Sequence, residues 1–256
     1  MRRFYLPKRQ PAAVPAAKTK TRQLWRRLLQ QKQFGFHLRP GTPAPGKRRG
    51  IDVAELFAAF DQLPDEGAAY FVRLCAALPV ARDPSASMNF SGVLKAGHGY
   101  LVVGKEQGEN SVSRTFGFYP AERMSLWSPL APYPSMIRDD RRKQPHAFLE
   151  RQISALDFEV VRVLAMAGAC TGYELLNFNC AGFARAVFNG VSAEPFVVPP
   201  YAVQWNGIPI GYHRLPSRRQ IIIPYTPQGL FLAIHALAVA GVPGAYLSSE
   251  IVPRLP

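Results

Sequence analysis

The sequence predicts an α+β fold: an antiparallel sheet packed against helices, with a basic N-terminal arm and helical extensions. Three observations predict it. Val93 to Val103 and Ser111 to Phe118 read as two strands joined by the polar turn Gly104-Lys105-Glu106-Gln107-Gly108-Glu109-Asn110, a β-hairpin pattern. Ser154-Ala155-Leu156-Asp157 is a capping-box-like start for a helix running to about Ala167. Its apolar stripe is Leu156, Val160, Val163, Leu164 and Ala167, with Gly168 as its stop. Charge, finally, is segregated along the chain. Residues 1–50 hold 14 Lys/Arg and no Asp or Glu, whereas the other 206 residues carry 17 charges of each sign.

The net charge of +14 therefore belongs to the arm, and the body, residues 51–256, is neutral. That argues against a nucleic-acid-binding body. It leaves the arm as a solvated tail, or as a ligand for an anionic surface, an acidic partner or nucleic acid. Cys75, Cys170 and Cys180 are an odd number and read as thiols instead of a disulfide framework. No apolar run of signal length precedes Pro7 and Pro11. The expectation is synthesis in the cytoplasm without a conventional signal peptide, with any export by another route.

Residues 1–19 are Pro-, Ala- and Lys/Arg-rich and read as extended. Thr21 to Phe34 has the spacing of a short basic amphipathic helix, with Leu24, Trp25 and Leu28 on one side. Prolines and glycines from Pro40 to Gly46 break it. In the body, Asp52 caps a predicted helix through Phe60, with Val53, Leu56, Phe57 and Phe60 facing inward. Gly67 to Leu78 is a second helical candidate, carrying Cys75 as a buried structural thiol. After the hairpin, residues 119–149 are rich in Pro and Arg and read as an irregular excursion or lid. Tyr173 to Phe178 leads into Cys180, where a helix begins and runs to about Phe188. A Pro-rich loop, a strand at Gln220–Ile223 and an apolar segment Leu230–Leu247 follow. Pro243 and Gly244 interrupt that segment, and a membrane span needs about 20 apolar residues, so it reads as a buried helix with His235 as a core histidine.

The chemistry centres on Cys180. A thiolate attacks acyl carbons, and a helix N-terminus or a neighbouring imidazolium lowers the thiol pKa from about 8.5. Cys180 at a helix start has the first, and His98, 82 residues upstream on a predicted strand, supplies the second and a general base. Folding the hairpin about residue 107 puts His98 opposite Gly117, so Thr115 shares its face and is the preferred third group. Asn177 and Asn179 compete for that role. Asn179 also reads as the helix cap. Asn179, Tyr100 and Trp205 are placed as candidate substrate contacts, and Tyr201 and Tyr212 as possible platforms. The five histidines are scattered and no Cys-x-x-Cys spacing exists, so no metal or other cofactor is expected.

Gly97-His98-Gly99-Tyr100 on one strand, Thr115-Phe116-Gly117-Phe118-Tyr119-Pro120 on the next, and Tyr173-x-x-x-x-Phe178-Asn179-Cys180-x-x-Phe183-Ala184 opening a helix resemble the permuted NlpC-like papain-fold hydrolases, over about residues 90–190. The resemblance implies a papain-like core with His-bearing strands before a Cys-bearing helix. It further implies a thiol hydrolase of amide or ester bonds, with Cys180 as nucleophile and His98 as base. A threonine in the third position would depart from the family pattern.

The resulting expectation is a cysteine peptidase or amidase acting on peptidoglycan peptide in a target cell's envelope, as a secreted antibacterial toxin or effector. A cognate immunity or adaptor protein would be its partner, and the arm would bind an anionic surface. Two alternatives stand beside it: a lipid acyl hydrolase or acyltransferase at a membrane, and a non-enzymatic basic-tailed binding module.

Overall fold

Asp52 opens the body as the sequence predicts. Its carboxylate accepts from the Ala54 N–H at 2.8 Å and caps α1 (Val53–Ala58), which tightens into a 3-10 turn at Ala59–Gln62. A computed structural model of the chain describes residues 50–80, 83, 97–124, 131–205 and 219–248, all within the unit Phe36–Pro256. The side chains of 203–205 and 219–221 fall outside that description. So do the arm, its expected helix at Thr21–Phe34 and the start of the strand expected at Val93.

The remaining elements are β1 (Ala69–Ala77), β2 (His98–Gln107), β3 (Asn110–Pro120), β4 (Ser135–Asp139) and β5 (Ala147–Ile153). Then come α2 (Ala155–Ala169), α3 (Cys180–Asn189), β6 (Tyr201–Trp205), β7 (Arg219–Ile223), α4 (Pro227–Val239) and β8 (Ala245–Leu247). Six strands form an antiparallel sheet in the order β4-β3-β2-β1-β5-β8, and β6 and β7 form a separate ribbon. The fold is thus mixed α+β, with a six-stranded antiparallel sheet and helices.

Gly67 to Leu78 is not a helix. It holds β1, an interior strand bonded to β2 and β5. Its burial pattern is inward on both faces, which removes the alternation that distinguishes a half-exposed strand. A short, doubly buried strand and a buried helix have the same apolar run, and periodicity cannot separate them. Cys75 is a buried thiol there, and burial raises its pKa. Residues 119–149 are likewise not simply a lid, since they supply β4 and β5.

One face of the sheet meets the helices through rings. Phe118 stacks on Phe183 of α3 at 5.0 Å, and Phe57, Phe60 and Phe158 form an edge-on cluster below. Full burial of each such ring contributes roughly 1.5–3 kcal/mol. Helix α2 runs through Gly168 to Ala169, and Val160 and Leu164 of the expected stripe are buried, with the rest of the inward face shifted around the helix. Phe158, Val161 and Leu164 point inward and Leu156 outward. Gly168 is not a stop signal: a β-carbon on it would overlap the Phe183 ring, so glycine permits α2 and α3 to touch.

The apolar segment from Leu230 divides in two. Thr226 caps α4, Pro227 takes its first turn, and Gly241 and Gly244, at φ 73° and 84°, turn the chain into β8. Gly244 also lies against the Glu150 carbonyl, where a side chain has no room. His235 is half-buried beside the Phe231 ring. Among the described residues no helix is long and apolar enough to cross a membrane. Buried Lys105 fixes the 3-10 turn to β2, donating to the Phe60 carbonyl at 3.2 Å, the Leu63 carbonyl and Asp65 at 2.6 Å.

Candidate active site

Cys180 is the first residue of α3, and Asn179 shapes that end. The Asn179 Oδ1 accepts from the Ala181 and Gly182 N–H groups at 3.0 Å each, and its Nδ2 donates to the Leu175 and Tyr225 carbonyls at 2.8 Å. Both amide hydrogens are used and the residue is buried. Asn179 is therefore a cap and a tie to the α4 segment, and its expected substrate contact is replaced by that role.

His98 begins β2 opposite Ala77. The glycines around it do different work. Gly97 has φ 73°, and a β-carbon there would sit 2.6 Å from the Ala77 carbonyl. A β-carbon on Gly99 would sit 2.8 Å from the Ala181 Cα, so glycine brings the first turn of α3 down onto β2. The Cys180 thiol then faces the His98 ring and the N–H groups of Gly99 and Ala181, which all act on its charge.

The third group is Asp140. His98 Nε2 and Asp140 Oδ2 are 2.8 Å apart, both side chains buried, and the Tyr119 hydroxyl donates to the other carboxylate oxygen at 2.6 Å. The Tyr119 ring stacks on the imidazole at 4.4 Å. With Nε2 held by the carboxylate, Nδ1 is the nitrogen left for the thiol. Gly117 makes room, because a β-carbon on it would overlap both Nε2 and the Asp140 carboxylate.

Thr115 is not this third group. The hairpin turns at Gly108-Glu109, so the register pairs Tyr100 with Gly117 and Val102 with Thr115. Thr115 shares the face expected of it but lies four strand residues from His98, roughly 13 Å. It contributes its carbonyl, which accepts the Asp140 N–H at 3.0 Å. Tyr100 is fully buried beneath His98, their rings stacked at 5.7 Å, so it supports the imidazole and is out of reach of a substrate. The Trp205 backbone closes β6 and its side chain lies outside the described residues.

Tyr173 is a group the sequence reading left without a role. It is buried, pinned by paired backbone bonds to Tyr133 at 2.9 and 2.7 Å, and its hydroxyl stands against both the thiol and the N–H of Cys180. Burial first, then the Cys180 charge, raises its pKa well above the usual tyrosine value, so it stays a donor.

Electrostatically, Cys180 and His98 each favour the charged form of the other. Burial pushes the thiol up, but the His98 charge and hydrogen bond, together with the Gly99 and Ala181 N–H groups, outweigh it and lower the pKa. For His98, burial opposes the charge, and the Cys180 sulfur with the Asp140 carboxylate overcomes it, raising the pKa. Among the described residues no group of three or more His, Cys, Asp or Glu side chains could hold a metal ion. No protein-family model, curated protein or solved structure matches the chain.

Proposed function

We propose that the protein is a thiol-dependent hydrolase with a papain-like, permuted NlpC-like core, cleaving an amide bond in peptidoglycan peptide. The observation that carries this reading is the buried chain of contacts Cys180–His98–Asp140 at the start of α3. The Cys180 thiolate attacks the carbonyl carbon. As the sulfur bonds to carbon it releases the Tyr173 hydroxyl, which the Cys180 N–H polarises and which then donates to the oxyanion. The imidazolium of His98 gives its proton to the leaving amine, and neutral His98 then takes one from the water that hydrolyses the thioester. Asp140 keeps the ring oriented and supports its positive form, as the carboxylate does in a serine triad.

The biological setting that fits is an antibacterial effector, made in the cytoplasm and acting in a target cell's envelope. The basic arm would serve an adaptor, an immunity partner or an anionic surface. A second reading, lipid acyl transfer or hydrolysis, draws support from exposed apolar side chains at Val197, before β6, and Ile222, on β7, 71% and 68% exposed. Wild type and Cys180→Ala expressed in the periplasm of a sensitive cell test the proposal. Toxicity lost with the thiol, together with shortened muropeptides, is the expected result. Changed lipid extracts with intact muropeptides would favour the second reading, and equal effects of both proteins would leave only a binding module.

A further inference from the structure

Arg138 is an exposed cation beside the site that makes no ion pair among the described residues. It pairs across β3 and β4 with Gly117, the glycine over which His98 and Asp140 meet. Its guanidinium lies over the Tyr119 ring at 5.0 Å, and the same ring stacks on His98 at 4.4 Å. It is exposed. The carboxylates beside it in sequence are occupied: Asp139 holds Arg141 at 2.5 Å, and Asp140 holds His98 and Tyr119. Among the described residues no carboxylate pairs with Arg138. Arg142 and Lys143 follow, also exposed, so the turn after Asp140 puts a local positive rim on a body of zero net charge.

Resting on the hydrolase reading above, we infer that Arg138 is a substrate-binding residue that selects acidic peptides, by holding a carboxylate close to the acyl group presented to Cys180. A guanidinium binds a carboxylate through two parallel N–H donors, and stacking on Tyr119 holds its plane without using those donors. A merely structural cation–π contact would not discriminate between ligands.

The test uses alkylation of Cys180, which needs no known substrate. Iodoacetate and iodoacetamide form the same kind of thioether and expel iodide, but only the first carries a carboxylate. The full-length chain in a Cys170→Ser background, with Cys180 modification followed by peptide mass spectrometry, gives a ratio of the two rates. Arg138→Gln is expected to lower that ratio about fivefold at low salt, with iodoacetamide alone unaffected, and Arg138→Lys to restore part of it. Muropeptides with free carboxylates should then show a raised KM with Arg138→Gln at similar kcat, and carboxamide-blocked muropeptides should not. An unchanged ratio with both reagents reacting overturns the role of Arg138 while leaving the hydrolase reading intact. Failure of either reagent to modify Cys180 in the wild type removes the reactive thiol and both conclusions with it. Turnover of phospholipid vesicles, impaired by Arg138→Gln while muropeptides stay untouched, would overturn the peptide assignment.

Discussion

Gly117 and Asp140 lie in contact so close that glycine alone fits: a β-carbon at 117 would occupy the space of the carboxylate and of the His98 ring edge. The absence of a side chain on β3 is what allows a residue beyond β4 to reach a residue on β2. Gly117→Ala is therefore expected to push Asp140 off His98. Hydrolysis should fall at least tenfold while circular dichroism shows an intact fold. Wild-type activity in this variant would show that the pair is not needed.

Asp140→Asn and Thr115→Val separate the observed third group from the expected one. The first removes the charge facing Nε2 and should lower kcat by about 10²-fold, the lower end of what positioned acid–base groups contribute. The second keeps the carbonyl that holds the Asp140 N–H and should leave kcat within about twofold. The reverse ranking would restore Thr115.

The pH profile of iodoacetamide alkylation reads the mutual effect of Cys180 and His98 directly. The Cys180 pKa is lowered, so the thiolate persists below the ordinary thiol value of about 8.5, and reactivity is lost only as pH falls through the folded-state value. His98→Ala removes the first-named of the lowering influences and should return the inflection toward or above 8.5. A wild-type inflection already there would contradict the pairing.

Tyr173→Phe tests the proposed oxyanion donor. Loss of such a donor costs about 10²–10³ in kcat elsewhere. Alkylation by iodoacetamide, which develops no oxyanion, should change little. Equal losses in both assays would instead mean that the phenol supports the thiol itself.

Gly168→Ala should destabilise the chain by about 1–3 kcal/mol through overpacking against Phe183, read as a lowered midpoint in urea. The alkylation rate of folded molecules should be unaltered.

The pair at the heart of the site was legible because its signals are local. Asn179 before Cys180 is a cap pattern, and Gly97-His98-Gly99 opens a strand. Asp140 was hidden because its approach depends on sheet order. Met136-Ile137 is too short an apolar run to announce β4, and the surrounding arginines and prolines read as loop. The only sequence signal was the pair Asp139-Asp140 amid cations. The hairpin register was missed by two residues because the seven-residue polar stretch conceals a two-residue turn at Gly108-Glu109, which extends both strands. That slip kept Thr115 on the right face and moved it out of reach. The interior strand β1 reads as a helix in the sequence because burial on both faces erases the period that identifies strands.

The surroundings of Cys180 are drawn from segments far apart in the chain. Cys75 meets Phe148 across the β1–β5 ladder, and the turn of Cys180 is tied through Asn179 to the Tyr225 carbonyl. A ribosome delivers about 5–20 residues per second, so several seconds pass between the emergence of His98 and of the segment that clamps the thiol. Until Tyr225 emerges, Asn179 lacks the carbonyl that ties the start of α3 to the α4 segment. The surroundings of Cys180 thus belong to the folded chain, and a polypeptide held unfolded does not carry them.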